Sequence, residues 1–345
     1  MSMTNIVMVH RDSLSCETIL RQAPNGDLII IAQCGGFTEP AIENRVYLFR
    51  SQDGGKTWSK PTDIYPMENR AVYCTEVTVF DGVITAYLTI HNGKFVDYEH
   101  IKLISRDNGY TWENGGRIEW FDSFVFIRGG IELKNGKRLL AFQNYPGAEK
   151  YNSVLSQNNE YIWKADIPYV ENGVIIMDKD EKNAVIGGTV KLPMTFNNRR
   201  IWQWSEPTVV ELDNGQLTML LRFTGTGYLW RSDSFDGGMT WTEAYKTDIP
   251  NPGNKPKLIK GKNGEIILLN TPNNATTVDL INRNPLSVWI SYDNLKTFEY
   301  KKDLIDFKAY LSYPDGIISD DGERVLFAFE LNRHDVYFVE HEIKR

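Results

Sequence analysis

The sequence predicts an all-β protein, a six-bladed β-propeller whose blades are four-stranded antiparallel sheets. Two repeats that share one period predict this fold, and so does an N-terminal strand without a partner nearby in sequence. Of the 345 residues, 41% are hydrophobic, 12% aromatic and 24% charged. This composition is typical of a protein with a packed core and argues against a disordered chain.

The first repeat is an Asp-Gly or Asn-Gly pair between two short aliphatic runs. Such pairs favour the left-handed residues of a type I′ turn, so each predicts the hairpin between the first and second strands of a blade. The six pairs are Asn25-Gly26, Asp81-Gly82, Asn135-Gly136, Asn214-Gly215, Asn263-Gly264 and Asp321-Gly322.

The second repeat is the motif S-x-D-x-G-x-T-W, which follows the predicted third strand of a blade. Full copies begin at Ser51, Ser105 and Ser234, and degenerate copies begin at Ser156 and Ser291. In the third period, NSVLSQ (152–157) is the predicted third strand. Both repeats recur about every 55 residues, and a longer interval predicts an insertion within 164–200.

The last period ends after the strand VYFVEHEI (336–343), with no motif and no fourth strand. Conversely, the strand NIVMVH (5–10) precedes the first period without a partner. We therefore expect Ile6–His10 to complete the C-terminal blade, which closes the ring and protects its edges. The sequence thus predicts a single propeller domain over 1–345.

Charge and targeting signals exclude several classes of partner. Lys and Arg number 38 against 45 Asp and Glu, a net charge of −7, so we expect no nucleic-acid partner and no anionic membrane partner. No segment has the roughly 20 apolar residues of a membrane helix. Without a signal peptide the chain is expected to be cytoplasmic as given, or secreted or periplasmic if a signal peptide was removed.

Cysteine and histidine spacing predicts no metal site. The cysteines at 16, 34 and 74 form no C-x-x-C pair, and we expect them to be reduced, buried thiols. No cofactor is expected, and a structural calcium ion is left open.

Strand order predicts where a ligand binds. The hairpin turns and the motifs fall on one rim, so the starts of first strands and the ends of second strands meet at the opposite axial mouth. The residues nine positions before the turn glycines are Glu17, Tyr73, Ile127, Glu206, Lys255 and Tyr313, and the second strands end at Gln33, His91, Gln143, Arg222, Asn270 and Glu330. Arg128 and Arg283 lie beside these positions, so we expect a charged pocket.

The motif S-x-D-x-G-x-T-W resembles the Asp box of the sialidase-like (BNR/Asp-box repeat) superfamily, and the resemblance covers nearly the whole chain. The order IRGG, EPTVVEL, IPNP and SYP is closer to the broad BNR-repeat branch than to true sialidases. SEPTVVELDNGQLTMLLR is similar to the sialidase segment that carries a Glu and an Arg, here Glu206 and Arg222. NRNPLSVWISYD resembles the segment with a further Arg, here Arg283, and YPDGIISDDGERVLFAFE resembles the closing blade with Tyr313 and Glu330.

The resemblance implies an exo-glycoside hydrolase of sialic-acid- or uronate-type sugars. In that family the Asp boxes are structural, a Glu polarises a nucleophilic Tyr, arginines bind the substrate carboxylate and an Asp protonates the leaving group. Here Glu206 and Tyr313 match the nucleophile pair, and Arg222 and Arg283 match the carboxylate clamp.

Two features depart from the family pattern. The F-R-I-P motif is absent near 15–16, where Arg21 is out of register and Arg128 is left to supply a third guanidinium. In GGFTEPAIENR the only carboxylates are those of Glu39 and Glu43, with no Asp.

Two alternatives stay open. A polysaccharide lyase would cleave a rhamnose–glucuronate-type linkage by β-elimination, with arginines neutralising the uronate and His91 or Tyr313 taking the proton. The other alternative is a non-catalytic sugar-binding propeller. In every case we expect an acidic oligosaccharide or polysaccharide as the partner. Further predicted contacts to it come from Arg128, Glu17, Tyr73, Lys255 and Glu330.

Overall fold

The computed structural model describes residues 3–343 and is an all-β, six-bladed β-propeller. Each blade is a four-stranded antiparallel sheet, which confirms the predicted fold class. The other elements are one α-helix, α1 (Glu149–Gln157), the 3₁₀ turns Ile162–Lys164 and Leu280–Asn282, and a small hairpin of β14 (Thr195–Phe196) and β15 (Arg199–Arg200).

The blades follow one another along the chain. The first contains β2 (Ser15–Gln22), β3 (Leu28–Cys34), β4 (Arg45–Ser51) and β5 (Thr62–Asp63); the second β6 (Ala71–Phe80), β7 (Val83–His91), β8 (Glu99–Ser105) and β9 (Glu113–Arg117). The third contains β10 (Phe124–Glu132), β11 (Arg138–Tyr145), β12 (Tyr169–Met177) and β13 (Val185–Pro193); the fourth β16 (Thr208–Glu211), β17 (Leu217–Arg222), β18 (Tyr228–Ser234) and β19 (Tyr245–Pro250). The fifth contains β20 (Lys257–Lys260), β21 (Ile266–Asn270), β22 (Leu286–Ser291) and β23 (Tyr300–Ile305); the sixth β24 (Leu311–Ile318), β25 (Arg324–Leu331), β26 (Asp335–Glu342) and β1 (Thr4–Arg11).

The N-terminal strand completes the sixth blade, as predicted. β1 pairs antiparallel with β26, with Thr4 opposite His341 and Arg11 opposite Asp335. An ion pair supports the end of this ladder, because Arg11 Nε donates to Asp335 Oδ1 at 2.7 Å. The outer edge of β26 is thereby covered.

The hairpin turns differ from the predicted type. In the first blade, Gly26 N donates to the Ala23 carbonyl and Ala23 N donates to the Asp27 carbonyl. Gly26 has a φ of 90°, whereas Asn25 has no positive φ, so the turn is a type I turn that ends in a left-handed glycine. Only at Asp81 and Gly82, with φ values of 46° and 79°, are both residues left-handed.

The sequence prediction for the third strand of the third blade was wrong. NSVLSQ lies largely in α1, and the third strand is β12, which pairs with β11. The degenerate motif copy at Ser156 is therefore not a turn between strands. It lacks the glycine and threonine that the full copies use. The extra residues of this period form α1, which precedes 164–200, and the β14–β15 hairpin, which lies inside it.

The other motif copies are turns held by their aspartates. Asp53 Oδ1 accepts a hydrogen bond from Thr57 N at 2.9 Å, and Asp53 Oδ2 accepts one from Thr57 Oγ1 at 2.6 Å. Asp107, Asp236 and Asp293 repeat this arrangement. Hydrogen bonds from Thr57 and Ser51 lower the pKa of Asp53 to about 2. These aspartates stabilise turns.

The described chain forms two compact units. The first comprises 3–124, 147–166 and 313–343, and the second comprises 125–146 and 167–312. In the first unit, aliphatic side chains of β2–β4 pack against those of β6–β8. In the second unit, the fourth and fifth blades share a buried cluster with Trp289. That 1–345 form a single domain stays a prediction.

Helix length and cysteine burial test two further predictions. Within 3–343, no helix combines the length and apolar character needed to cross a bilayer. All three cysteines are buried and lack disulfides, as predicted.

Candidate functional site

Three of the residues nine positions before the turn glycines have left-handed backbone. Glu17, Glu206 and Tyr313 have φ values of 51°, 40° and 54°. Long side chains rarely adopt this conformation, which costs about 1–3 kcal/mol at each position. In the first blade the strand is distorted there, since the register of β2 against β3 shifts between Cys16 and Ile19. Such strain is concentrated at functional sites, so these positions mark the candidate site.

In the first unit, the structure brings Glu17, Tyr313 and Glu330 together. Glu17 N donates to Glu330 Oε2 at 3.0 Å, and Thr18 Oγ1 donates to the Tyr313 carbonyl oxygen at 3.0 Å. All three predicted residues are buried. The first strands of the first and sixth blades and the second strand of the sixth thus place Glu17, Tyr313 and Glu330 in one region of this unit.

Arg333 lies in the same unit and was not among the site residues predicted from the sequence. It occupies the turn between β25 and β26, and its Nη2 donates to Glu39 Oε2. Burial opposes its charge, but Glu39, Cys16, Glu330 and Tyr313 outweigh this effect and raise the pKa of the guanidinium well above its usual range. Its place in a turn between second and third strands, on the predicted ligand-binding rim, was the signal in the sequence.

Arg21, the out-of-register arginine, has a different environment. Its Nη1 donates to Asp315, its Nη2 donates to Glu76, and its Nε donates to the Val77 carbonyl oxygen at 2.5 Å. Both carboxylates are buried. Since every guanidinium nitrogen of Arg21 has a partner, this cluster holds strands of the first unit together.

His91 and Tyr73 lie in an aromatic cluster of the first unit. Tyr73 contacts Phe95 edge to face, with 5.3 Å between ring centroids. His91 Nδ1 accepts hydrogen bonds from the backbone N–H groups of Gly93 and Phe95 at 3.0 and 3.3 Å. Burial, with smaller contributions from Arg70 and His100, lowers the pKa of His91 to about 3. In this position His91 is a neutral group that stabilises a turn.

In the second unit, Glu206 lies between two arginines. Arg222 Nη1 donates to Glu206 Oε2 at 2.8 Å, and Arg128 Nη2 lies 3.7 Å from Glu206 Oε1. Gln143 Oε1 accepts hydrogen bonds from Glu206 N at 2.8 Å and from Arg128 Nε at 3.3 Å. All four side chains are buried. Two guanidinium groups thus share the carboxylate of Glu206.

Arg283 and Lys255 also lie in the second unit, among polar groups. Arg283 Nη1 donates to Ser312 Oγ, and its Nη2 donates to the Gly253 carbonyl oxygen, both at 3.1 Å. Lys255 is buried, and it follows Asn254, whose amide donates to Thr271 Oγ1 at 3.1 Å.

Two open grooves between outer strands of the second unit are further concave regions. One has a volume of about 550 Å³ and is lined by Trp289, Tyr245 and Lys301 among others. The other, of about 440 Å³, is lined by Trp230, Trp241 and Phe196 among others. Within 3–343, no group of three or more His, Cys, Asp or Glu side chains is arranged to hold a metal ion.

The fold resembles several solved structures. The Hadza microbial sialidase Hz136 matches with a TM-score of 0.72 and 17% identity, over 96% of this chain and 66% of that one. The NanB sialidase of Streptococcus pneumoniae matches with a TM-score of 0.70 and 14% identity, over 97% and 69%. The α-L-arabinanase of Penicillium chrysogenum, complexed with arabinobiose, matches with a TM-score of 0.62 and 15% identity, over 99% and 98%.

These identities show a shared fold, and the chain spans only 66% of the length of the Hadza sialidase. The sequence itself matches a family model described as a BNR repeat-like domain over residues 81–326, more than half of the chain. This match agrees with the resemblance carried by the repeated motif. The chain belongs to the BNR repeat-like domain family.

Proposed function

We propose that the protein is a glycoside hydrolase that acts on acidic sugars, with Tyr313 as its nucleophile. The observation that carries this proposal is the left-handed backbone at Glu17, Glu206 and Tyr313. These three residues lie at equivalent positions of the repeat, nine residues before a turn glycine, and their backbone is strained. Their side chains are two carboxylates and a phenol, groups that take part in glycoside cleavage. The similar sialidases and arabinanase support a function on sugars.

In the proposed reaction, the Tyr313 oxygen attacks the anomeric carbon while its phenolic proton passes to a carboxylate of the site. The bond to the leaving-group oxygen breaks as that oxygen takes a proton from water. Water then hydrolyses the bond between Tyr313 and the sugar. A phenol repels an acidic sugar less than a carboxylate would. The two arginines beside Glu206, Arg128 and Arg222, support the choice of an anionic substrate, because guanidinium groups bind carboxylates well.

The test is a screen of sialyl and uronosyl oligosaccharides with the intact protein and Tyr313→Phe. This change removes one oxygen atom, so we expect turnover to fall at least about a thousandfold while the thermal midpoint hardly changes. The matched control is Tyr310→Phe, three residues away, which should stay within a few-fold of the unchanged protein. Full activity of Tyr313→Phe would remove the mechanism.

The same screen separates the alternatives. Hydrolysis incorporates water, whereas β-elimination gives an unsaturated uronate that absorbs ultraviolet light. Glu206→Gln is a less clean variant than Tyr313→Phe, because it leaves Arg222 and Arg128 without their shared carboxylate. An acidic oligosaccharide that binds in calorimetry and is not turned over would favour the non-catalytic sugar-binding propeller.

A further inference from the structure

The turn that carries Arg333 is rigidly attached to the start of the first blade. Asn332 and Arg333 both have left-handed backbone, with φ values of 54° and 60°. Ser15 N donates to the Arg333 carbonyl oxygen at 2.8 Å, and Asp12 N donates to the His334 carbonyl oxygen at 3.1 Å. These contacts fix the backbone from which the Arg333 side chain extends.

Arg333 uses only part of its hydrogen-bonding capacity. Its Nη2 donates to Glu39 Oε2, while Nε and Nη1 have no partner among residues 3–343. The Arg333 side chain keeps 21% of its surface exposed and the Glu39 side chain 11%. A guanidinium can donate two parallel hydrogen bonds to one carboxylate, and Glu39 takes only one. A carboxylate that forms the full two-donor fork would therefore bind Arg333 better than Glu39 does, and would take Nη2 from it.

The charge of Arg333 acts on the groups that surround it. The titratable groups that interact with it are Glu39, Cys16, Glu330 and Tyr313. Tyr313 is the proposed nucleophile, and Glu330 bonds to the backbone of Glu17. The partly exposed cation thus belongs to the same region of the first unit as the strained residues.

We propose that Arg333 is the binding site for the carboxylate of an acidic sugar, and that Glu39 occupies this site until the sugar displaces it. This inference rests on the proposed function for its class of ligand. A neutral sugar has no anionic group to replace Glu39. A sugar carboxylate can accept two parallel hydrogen bonds from the Nε and Nη groups of Arg333. The exchange therefore selects acidic sugars over neutral ones of the same shape.

The test is calorimetric binding of glucuronic acid, N-acetylneuraminic acid and glucose to the full chain. At least one of the two acids should bind, and glucose should not. Arg333→Gln should weaken that binding at least about thirtyfold. The affinity of Arg333→Lys should lie between those of the unchanged protein and Arg333→Gln, because lysine keeps the charge but cannot donate two parallel hydrogen bonds. Glu39→Gln should tighten binding about five- to tenfold, since the competing carboxylate is lost.

Two controls make the test specific. Glu43→Gln removes an exposed carboxylate of the same loop and should leave binding unchanged. In the Arg333→Gln background, Glu39→Gln should no longer tighten binding, because the two residues act as a pair. A merely structural pair would give weaker binding in both single variants.

Three results would overturn the inference: no binding of either acid to the unchanged protein, unchanged binding in Arg333→Gln, or no gain in Glu39→Gln. Its failure is distinct from that of the proposed function. Turnover that is insensitive to Arg333→Gln keeps the hydrolase and removes this site. Binding with the expected pattern but without turnover keeps the site and removes the hydrolase.

Discussion

The two units contain buried ionic clusters of opposite composition. In the first unit, one cation, Arg21, is bound by the carboxylates of Glu76 and Asp315. In the second unit, one carboxylate, Glu206, is bound by the guanidinium groups of Arg222 and Arg128. Both clusters are almost inaccessible to water. The same side-chain types therefore form an anion-rich cluster in one unit and a cation-rich cluster in the other.

Backbone conformation separates the two clusters further. Glu206 has a φ of 40°, whereas Arg21 lies in regular strand β2 outside the left-handed region. A purely structural ion pair requires no strained backbone. Left-handed backbone together with two guanidinium groups on one carboxylate distinguishes the Glu206 cluster from the Arg21 cluster, which joins strands.

The largest effect that tests this comparison is expected for Arg21→Met. It leaves Glu76 and Asp315 buried without a cation, so the free energy of unfolding should fall by about 3–5 kcal/mol in urea titrations. The control is Arg117→Met, which breaks the exposed pair with Glu99 and should cost less than about 1 kcal/mol. A loss for Arg21→Met no larger than the control's would contradict a structural role.

Acid is expected to destabilise the first unit, which contains all five histidines of the chain. Burial lowers the pKa of His91 to about 3 and that of His100 to about 4. Because both values lie below 6.5, the unfolded chain takes up protons first as the pH falls, and stability decreases below about pH 6.5.

The slope should reach about 1.4 kcal/mol per pH unit for each histidine, measured by urea unfolding at pH 7.0, 6.0 and 5.0. His100→Gln should flatten this slope, even if it lowers stability at pH 7. An unchanged slope in that variant would show that other groups control acid sensitivity.

A smaller loss of stability than for Arg21→Met is expected for Arg222→Met. Arg128 remains 3.7 Å from Glu206, so the carboxylate keeps a cation, and the free energy of unfolding should fall by only about 1–2 kcal/mol. Urea titrations of Arg222→Met and Arg21→Met, carried out together, measure the difference between their free energies of unfolding. If Arg222→Met and Arg21→Met lowered the free energy of unfolding equally, the second guanidinium beside Glu206 would not compensate for the loss of the first.

The sequence predicted the blades, because each hairpin glycine and each motif aspartate acts locally. Gly26 needs only its own turn to adopt positive φ, and Asp53 bonds only within its own loop. The third blade shows the limit of this reasoning. The segment NSVLSQ (152–157), which leads into the degenerate motif copy, was assigned to a strand and lies in α1.

The candidate site could be predicted only in part. Strand position selected Glu17, Glu206 and Tyr313, since equivalent positions in a repeat share an environment. Their left-handed backbone was not predictable, because tertiary contacts maintain it against local preference. Nor was the pair of Arg333 and Glu39, whose partners lie 294 residues apart in a turn and a loop without a repeat motif.

The pairing of β1 with β26 sets the order in which this protein can be completed during synthesis. Thr4 is opposite His341, so β1 finds its partner only after the strands of all the intervening blades have been synthesised. Until then β1 has unsatisfied backbone groups that are open to pairing with other chains. The sixth blade is therefore completed late, by two strands that lie far apart in the sequence.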